Sequence, residues 1–212
     1  DNLGNYNLHA HYVDSTTRTH VAPGTANSTN VGGQEGVLAV DASYGYFGWI
    51  FDQIGDDDPI DALSAAAPLL ASIADDPSAN VPVQFAQAIQ DLLLRYMQQT
   101  TYSGANAVPD NDLSVTTPGL GNGGGSSTTI YRMREGIERF LITDINNPAA
   151  SAQAQSSVWI MIDALSTEVE NYNHVPGGSN VLYMDGHVSF VRYPGEQPVN
   201  RAMAEAVGGI FS

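Results

Sequence analysis

The apolar and polar positions change period several times along the chain. Near the C-terminus the pattern alternates: Val188, Phe190 and Arg192 fall on one side, and His187, Ser189, Val191 and Tyr193 on the other. Asn180 to Met184 is a run of strand-formers, and Asp185-Gly186 separates it from the second run. This predicts a C-terminal β-hairpin over 173–194 with Asp185-Gly186 as a two-residue turn, because a type I′ turn needs φ > 0 at both central positions. Pro176-Gly177-Gly178 opens the hairpin and Pro194-Gly195 stops it. Val158 to Ile162 is continuously apolar and predicts a buried strand ending at Asp163, and residues 200–211 predict a short terminal helix.

Elsewhere the period is helical. Asp58 suits an N-cap and Pro59 a first helical turn, so residues 59–74 are predicted to be a helix with Ile60, Leu63, Ala67, Leu70 and Ala74 near one face. Asp75-Asp76-Pro77 ends it. Residues 82–99 predict a second helix burying Phe85, Ile89, Leu92, Leu93, Tyr96 and Met97. Residues 55–100 thus read as an inserted helical pair. Residues 101–130, rich in Gly, Ser and Thr, read as a flexible loop region. Residues 131–143 fit an amphipathic helix, with Glu135 and Arg139 spaced for an i,i+4 pair. Residues 6–13 alternate as a strand would. The fold class expected is α+β, within a single domain spanning 1–212.

Composition narrows the functions open to such a fold. Charged residues make up 14% of the 212 residues, and the net charge is −16, with seven Arg and no Lys. Globular chains carry about 25% charge, so this surface is expected to be neutral-polar. An acidic chain repels nucleic-acid backbones and anionic lipid, which argues against nucleic acid as a partner. Its carboxylates suggest divalent counter-ions, calcium first, or simply a means of staying soluble. There is no cysteine, which excludes disulfides, thiolate metal sites and cysteine nucleophiles. No segment has the apolar length of a membrane span.

The candidate chemistry is sparse. His9 and His11 share a face of the predicted strand and with His20 offer a metal site, or are plain edge-strand histidines. Asn27 begins an Asn-Ser-Thr glycosylation acceptor. Tyr44, Tyr46, Phe47, Trp49 and Phe51 lie close together; Tyr44, Tyr46 and Trp49 could stack on sugar rings or on another subunit, or belong to the core. Candidate oxygen ligands for calcium are Asp56, Asp58, Asp110, Asp112, Asp144 and Asp163. No nucleophile elbow, phosphate loop or dinucleotide fingerprint occurs, and no carboxylate spacing selects a hydrolytic pair. His174 and Asp185 resemble a catalytic couple, but turn formation explains Asp185 better. The chain is therefore expected not to be an enzyme.

Two blocks carry a family resemblance. Asn173 to Pro194, NHVPGGSNVLYMDGHVSFVRYP, is similar to the end of the prepilin-type, processing-associated domain named for a His, a nine-residue spacer and Asp-Gly; here ten residues separate His174 from Asp185. Tyr131 to Ser156 resembles the segment preceding that hairpin in a subgroup of these proteins. The family is abundant in planctomycetes and their relatives and is described as type II secretion pseudopilin-like. The resemblance implies a pilin-like antiparallel sheet. It also implies an exported structural subunit of an extracellular filament or secretion pseudopilus, located outside the cell or on its surface. Its partners would be copies of itself, other pseudopilins or glycans, and calcium is held near the sheet in some pseudopilins. Pilin-like relatives begin with a basic leader and a long apolar helix. This sequence begins at Asp1 and contains neither, which fits removal in maturation, an origin outside this sequence, or a branch without them. The alternative reading is a secreted carbohydrate-binding module using exposed aromatics.

Overall fold

The structure is a computed structural model, and it describes residues 44–137, 141, 155–167 and 177–211. The chain divides into two compact units, residues 1–45 and 46–212. Only Tyr44 and Gly45 of the first are described; every other described residue belongs to the second. The elements are mixed helix and antiparallel sheet, as the α+β expectation has it. Strand β1 is Tyr44–Tyr46, β2 Ile60–Ala62 and β3 Asn80–Pro82; helices α1 and α2 are Leu63–Ala66 and Pro68–Ala71. The long helix α3 is Val83–Met97 and α4 is Tyr102–Ala107. Strands β4 (Leu113–Ser114), β5 (Thr129–Ile130), β6 (Trp159–Asp163), β7 (Gly178–Tyr183) and β8 (Val188–Arg192) precede the terminal helix α5, Arg201–Phe211. Four strands form one sheet in the order β1-β6-β7-β8, while β2-β3 and β4-β5 are separate antiparallel pairs.

The core forms where α3 meets the sheet. Phe47, Phe51, Phe85 and Trp159 pack together, mostly edge to face, with ring centroids 5.2 to 6.3 Å apart, the separation at which aromatic quadrupoles attract. The first half of α3 is buried all round, Gln84 through Ile89, and its C-terminal half emerges, leaving Tyr96 and Met97 exposed rather than in the predicted stripe.

A helix buried on every side must satisfy its polar side chains internally, and α3 does so with three glutamines. Gln84 Oε1 accepts from the backbone N–H groups of Asp52 and Gln53 (3.1 and 3.0 Å). Gln87 Oε1 accepts from those of Thr116 and Thr117 (2.9 and 3.1 Å). Gln90 Oε1 accepts from those of Leu69 and Leu70 (2.8 and 3.4 Å). Three successive amides thus each clamp two consecutive backbone N–H groups of a different segment. At the next position on the helix, Asp91 accepts from Ser114 N (2.8 Å).

Several expectations are corrected by this architecture. Residues 59–74 are not one helix. Residues 60–62 pair with 80–82 as strands, and two four-residue helices follow, parted at Ala67-Pro68. Pro68 has no N–H to continue the first helix and its ring crowds the turn before it. Leu63, Ala67 and Leu70 are nevertheless buried, but Ile60 is exposed. Asp58 does not cap a helix: its Oδ2 accepts from Gly55 N (2.7 Å) in a turn. Residues 101–130 hold a helix, a short 3₁₀ turn and the β4-β5 ladder, and bury Val108, Leu113, Val115, Leu120, Asn122 and Ile130. Residues 131–133 are extended rather than helical, because Ile50 N bonds Tyr131 O (3.0 Å) and Met133 N bonds Gly48 O (2.9 Å). Arg139 lies outside the described residues, as do 6–13 with their histidines. The hairpin, strand β6 and helix α5 stand where the pattern placed them.

Candidate functional site

The hairpin closes through three loop residues, not two. Tyr183 N donates to His187 O (3.0 Å) and Gly186 N to Tyr183 O (2.9 Å), so Met184 and Asp185 are the central turn residues. Gly186 follows at φ 90°, where a residue without Cβ is unstrained. Asp185 has a different task from the one predicted: its Oδ1 accepts from His187 N (3.1 Å) and lies 2.6 Å from His187 Nδ1. Those contacts, the backbone bond foremost, hold its carboxyl below the usual value. The His187 ring stacks on Tyr183 at 4.4 Å, within 5° of parallel. Burial, then the charge of Glu196, pushes the Tyr183 phenol up.

Beyond the turn, β7 and β8 pair from Leu182↔Val188 to Gly178↔Arg192. The bonds of Tyr183 with His187 and of Tyr193 with Gly177 fix which backbone groups face β7: those of His187, Ser189, Val191 and Tyr193. The N–H and C=O groups of Val188, Phe190 and Arg192 therefore point away from it. Among the described residues β8 is the last strand of the sheet on that side. Val191 and Tyr193 pack against the core, whereas Val188 and Phe190 are 61% and 52% exposed. A Cβ on Gly178 (φ 151°) would come within 2.6 Å of Phe190 Cζ and 2.7 Å of Val191 O, so glycine there lets the ring lie across β7. Among the described residues β8 is thus an edge strand carrying exposed apolar side chains, a feature proteins usually guard with charge or cover.

The other predicted site residues are scattered. Tyr44 and Tyr46 are exposed at 40% and 54%. Trp49 is buried; its indole N–H donates to Asn111 O (2.8 Å) and the Arg132 guanidinium lies over its ring at 5.3 Å. That guanidinium also donates to Gly48 O. Asp56 Oδ1 accepts from Ala202 N (3.1 Å) in the first turn of α5, beside Asn200, whose Oδ1 accepts from Met203 N (2.9 Å). Asp112 accepts from Arg132 N (2.8 Å) and meets the Arg134 guanidinium at 3.3 Å. Buried Asp163 accepts from the backbone and side-chain amides of Asn180 (2.8 and 2.9 Å), tying β6 to β7. Asp110 lies exposed at the end of the 3₁₀ turn. Asn27, Asp144 and His174 lie outside the described residues. Among the described residues no three His, Asp or Glu side chains come together as a cation cage, and no helix is long and apolar enough to cross a membrane.

One polar cluster escaped the sequence reading. Asp52 Oδ1 accepts from Gln84 Nε2 (2.8 Å) and Asn122 Nδ2 (2.9 Å). Asn122 also donates to Ile50 O (3.0 Å) and accepts from Tyr131 N (2.8 Å), and Gln84 donates to Leu120 O (2.8 Å). Asp52 retains solvent contact as a residue, yet its carboxylate sits deep enough that burial, partly offset by the Gln84 and Asn122 bonds, raises its pKa. The signal available in the sequence was three glutamines spaced by three in the otherwise apolar first half of the helix. The cluster holds four segments together: 50–53, the long helix, 120–122 and Tyr131. No family model, curated protein or solved structure matches this chain.

Proposed function

We propose that this chain is the head of an exported, non-enzymatic structural subunit, pilin-like in fold, that associates with copies of itself in an extracellular filament or secretion pseudopilus. The observation that carries the reading is strand β8, the last of its sheet among the described residues, with Val188 and Phe190 exposed on it. Apolar exposure on a strand with outward backbone donors and acceptors favours addition of another strand. The resemblance of the 131–156 and 173–194 blocks points the same way. Sedimentation velocity and negative-stain electron microscopy over a concentration series, with and without calcium, test it. Concentration-dependent oligomers or fibres are expected; monomers throughout would overturn it.

A second reading rests on Tyr46, 54% exposed: a secreted carbohydrate-binding module that stacks a sugar on that ring. Glycan-array binding lost in Tyr46→Ala would favour it over assembly.

A further inference from the structure

Asn122 is the only asparagine in the sequence followed by glycine. That pair carries its own chemistry. The main-chain N of the glycine attacks the side-chain Cγ of the asparagine, and the new C–N bond closes a five-membered succinimide. The side-chain nitrogen leaves as ammonia with the proton that the glycine N gives up. Water then opens the ring at either carbonyl, giving aspartate or isoaspartate, in which the main chain runs through the side chain. Only water is consumed. Glycine favours the step because it has no Cβ to hinder its nitrogen.

The fold closes this route. Asn122 is 1% exposed. Its Nδ2 donates to Ile50 O (3.0 Å) and Asp52 Oδ1 (2.9 Å), and its Oδ1 accepts from Tyr131 N (2.8 Å). Ring closure turns Cγ tetrahedral and expels Nδ2, which the three bonds and the burial oppose. The product does not fit the same place. A carboxylate at position 122 has no N–H for Ile50 O, and it sets an oxygen where Nδ2 stood, 2.9 Å from Asp52 Oδ1. Two carboxylates that close in a buried site cannot both ionise. Isoaspartate adds a main-chain atom beside Asn122 N, which bonds Thr129 O at 2.9 Å. We infer that Asn122-Gly123 is a self-modification site, shut in the folded chain and open in the unfolded one, and that its deamidation bars the chain from refolding. The time a chain can spend unfolded is thereby limited, whether or not copies associate.

The parent is held at mildly alkaline pH in concentrated urea and, separately, in plain buffer, and conversion at Asn122 is followed by peptide mass and ammonia release. Conversion should run about a hundredfold or more slower in the folded chain, since it must wait for an opening of the core. On dilution from urea, the fraction that refolds should fall in step with conversion. Gly123→Ala, whose Cβ hinders the attack, should slow the reaction in urea about tenfold and preserve refolding to match. Asn122→Asp supplies the aspartate product directly. Its urea midpoint should lie below that of the parent at neutral pH and recover part of the gap in acid, where one proton serves both carboxyls. If that variant is unfolded at neutral pH, N122D/D52N, which removes the second carboxylate, should be folded by circular dichroism. Folded and unfolded chains converting within about tenfold of each other would overturn the shut site. A fully converted chain that refolds in full, a G123A chain that loses refolding as fast as the parent, or an N122D variant as stable as the parent at every pH would overturn the barrier.

Discussion

Gln84→Leu removes the amide that joins three segments while keeping a side chain of similar size. In the structure its Oε1 serves the N–H groups of Asp52 and Gln53, and its Nε2 serves Asp52 Oδ1 and Leu120 O. The Leu120 carbonyl is bonded in the interior, and losing its donor costs about 1–3 kcal/mol. The other three groups are partly reached by water and should lose about 0.5–1.5 kcal/mol each. The apolar replacement recovers some transfer energy, so a net loss of roughly 3–4 kcal/mol is expected, a large share of the ~5–15 kcal/mol of a typical domain. Urea unfolding measures it as a fall in midpoint at unchanged slope. Gln84→Glu separates the two halves of the amide: it keeps the acceptor for both N–H groups but loses both donors and sets a second carboxylate against Asp52. Its deficit should be large at neutral pH and shrink in acid, where one of the two acids takes up a proton. A Q84L loss below about 1 kcal/mol, or a Q84E deficit indifferent to pH, would refute the claim that this amide is a structural tie.

Two further outcomes are expected at neighbouring groups. Burial raises the Asp52 pKa above its unfolded value, so its contribution to stability is present in full below the ordinary carboxylate pKa and is lost as pH rises through the folded one. Asp52→Asn keeps an acceptor for Gln84 and Asn122 without the charge; it should equal or exceed the parent in stability at pH 7, with the advantage shrinking as pH falls toward 3, and an advantage that grows in acid would reverse the sign. Asn200→Ala removes the cap on Met203 N and leaves the Ile54 carbonyl, bonded at 2.6 Å, without its donor; thermal unfolding should register a loss of about 2–4 kcal/mol, against about 1 kcal/mol or less for Asp56→Asn at the same helix end.

The elements that could be read from sequence were those whose local pattern agrees with their tertiary setting. Strand β8 alternates because one face meets the core through Val191 and Tyr193, and β6 is continuously apolar because Trp159 and Ile162 are both buried. The failures have separate causes. Apolar spacing over 59–74 looks helical only if Pro68 is ignored; the same residues bury Leu63 and Leu70 from two short helices. Residues 131–143 carry a helical apolar pattern, but backbone bonds to Gly48 and Ile50 hold 131–133 extended, and tertiary pairing outweighs a preference worth tenths of a kcal/mol per residue. At the hairpin tip Asp185-Gly186 was recognised but its register was not. Either loop length suits a terminal glycine at φ > 0, and the hydrogen bond of Gly186 to Tyr183 decides for three residues. The place of β8 as the last strand of its sheet among the described residues could not be read at all: strand order is set by chain crossings that no local period encodes.

The glutamine ladder links that fold to the unusual composition. A step of three residues along α3 advances about 4.5 Å and turns about 300°, so Gln84, Gln87 and Gln90 face three directions. Each meets a different segment: 52–53, 116–117 and 69–70. An amide brings donors and an acceptor without the desolvation cost of a charge, so it can satisfy irregular backbone next to a buried helix where a carboxylate or arginine would be costly. The Thr116-Thr117 segment, beside a stretch rich in Gly and Ser, then needs few apolar residues of its own. The same economy leaves the surface without lysine, the residue that most often guards an edge strand. The internal amides and the absence of lysine are thus two consequences of one choice of composition. Interior amide ties do part of the work that charged pairs do elsewhere, and β8 shows Val188 and Phe190 exposed with Arg192 as its one charged residue.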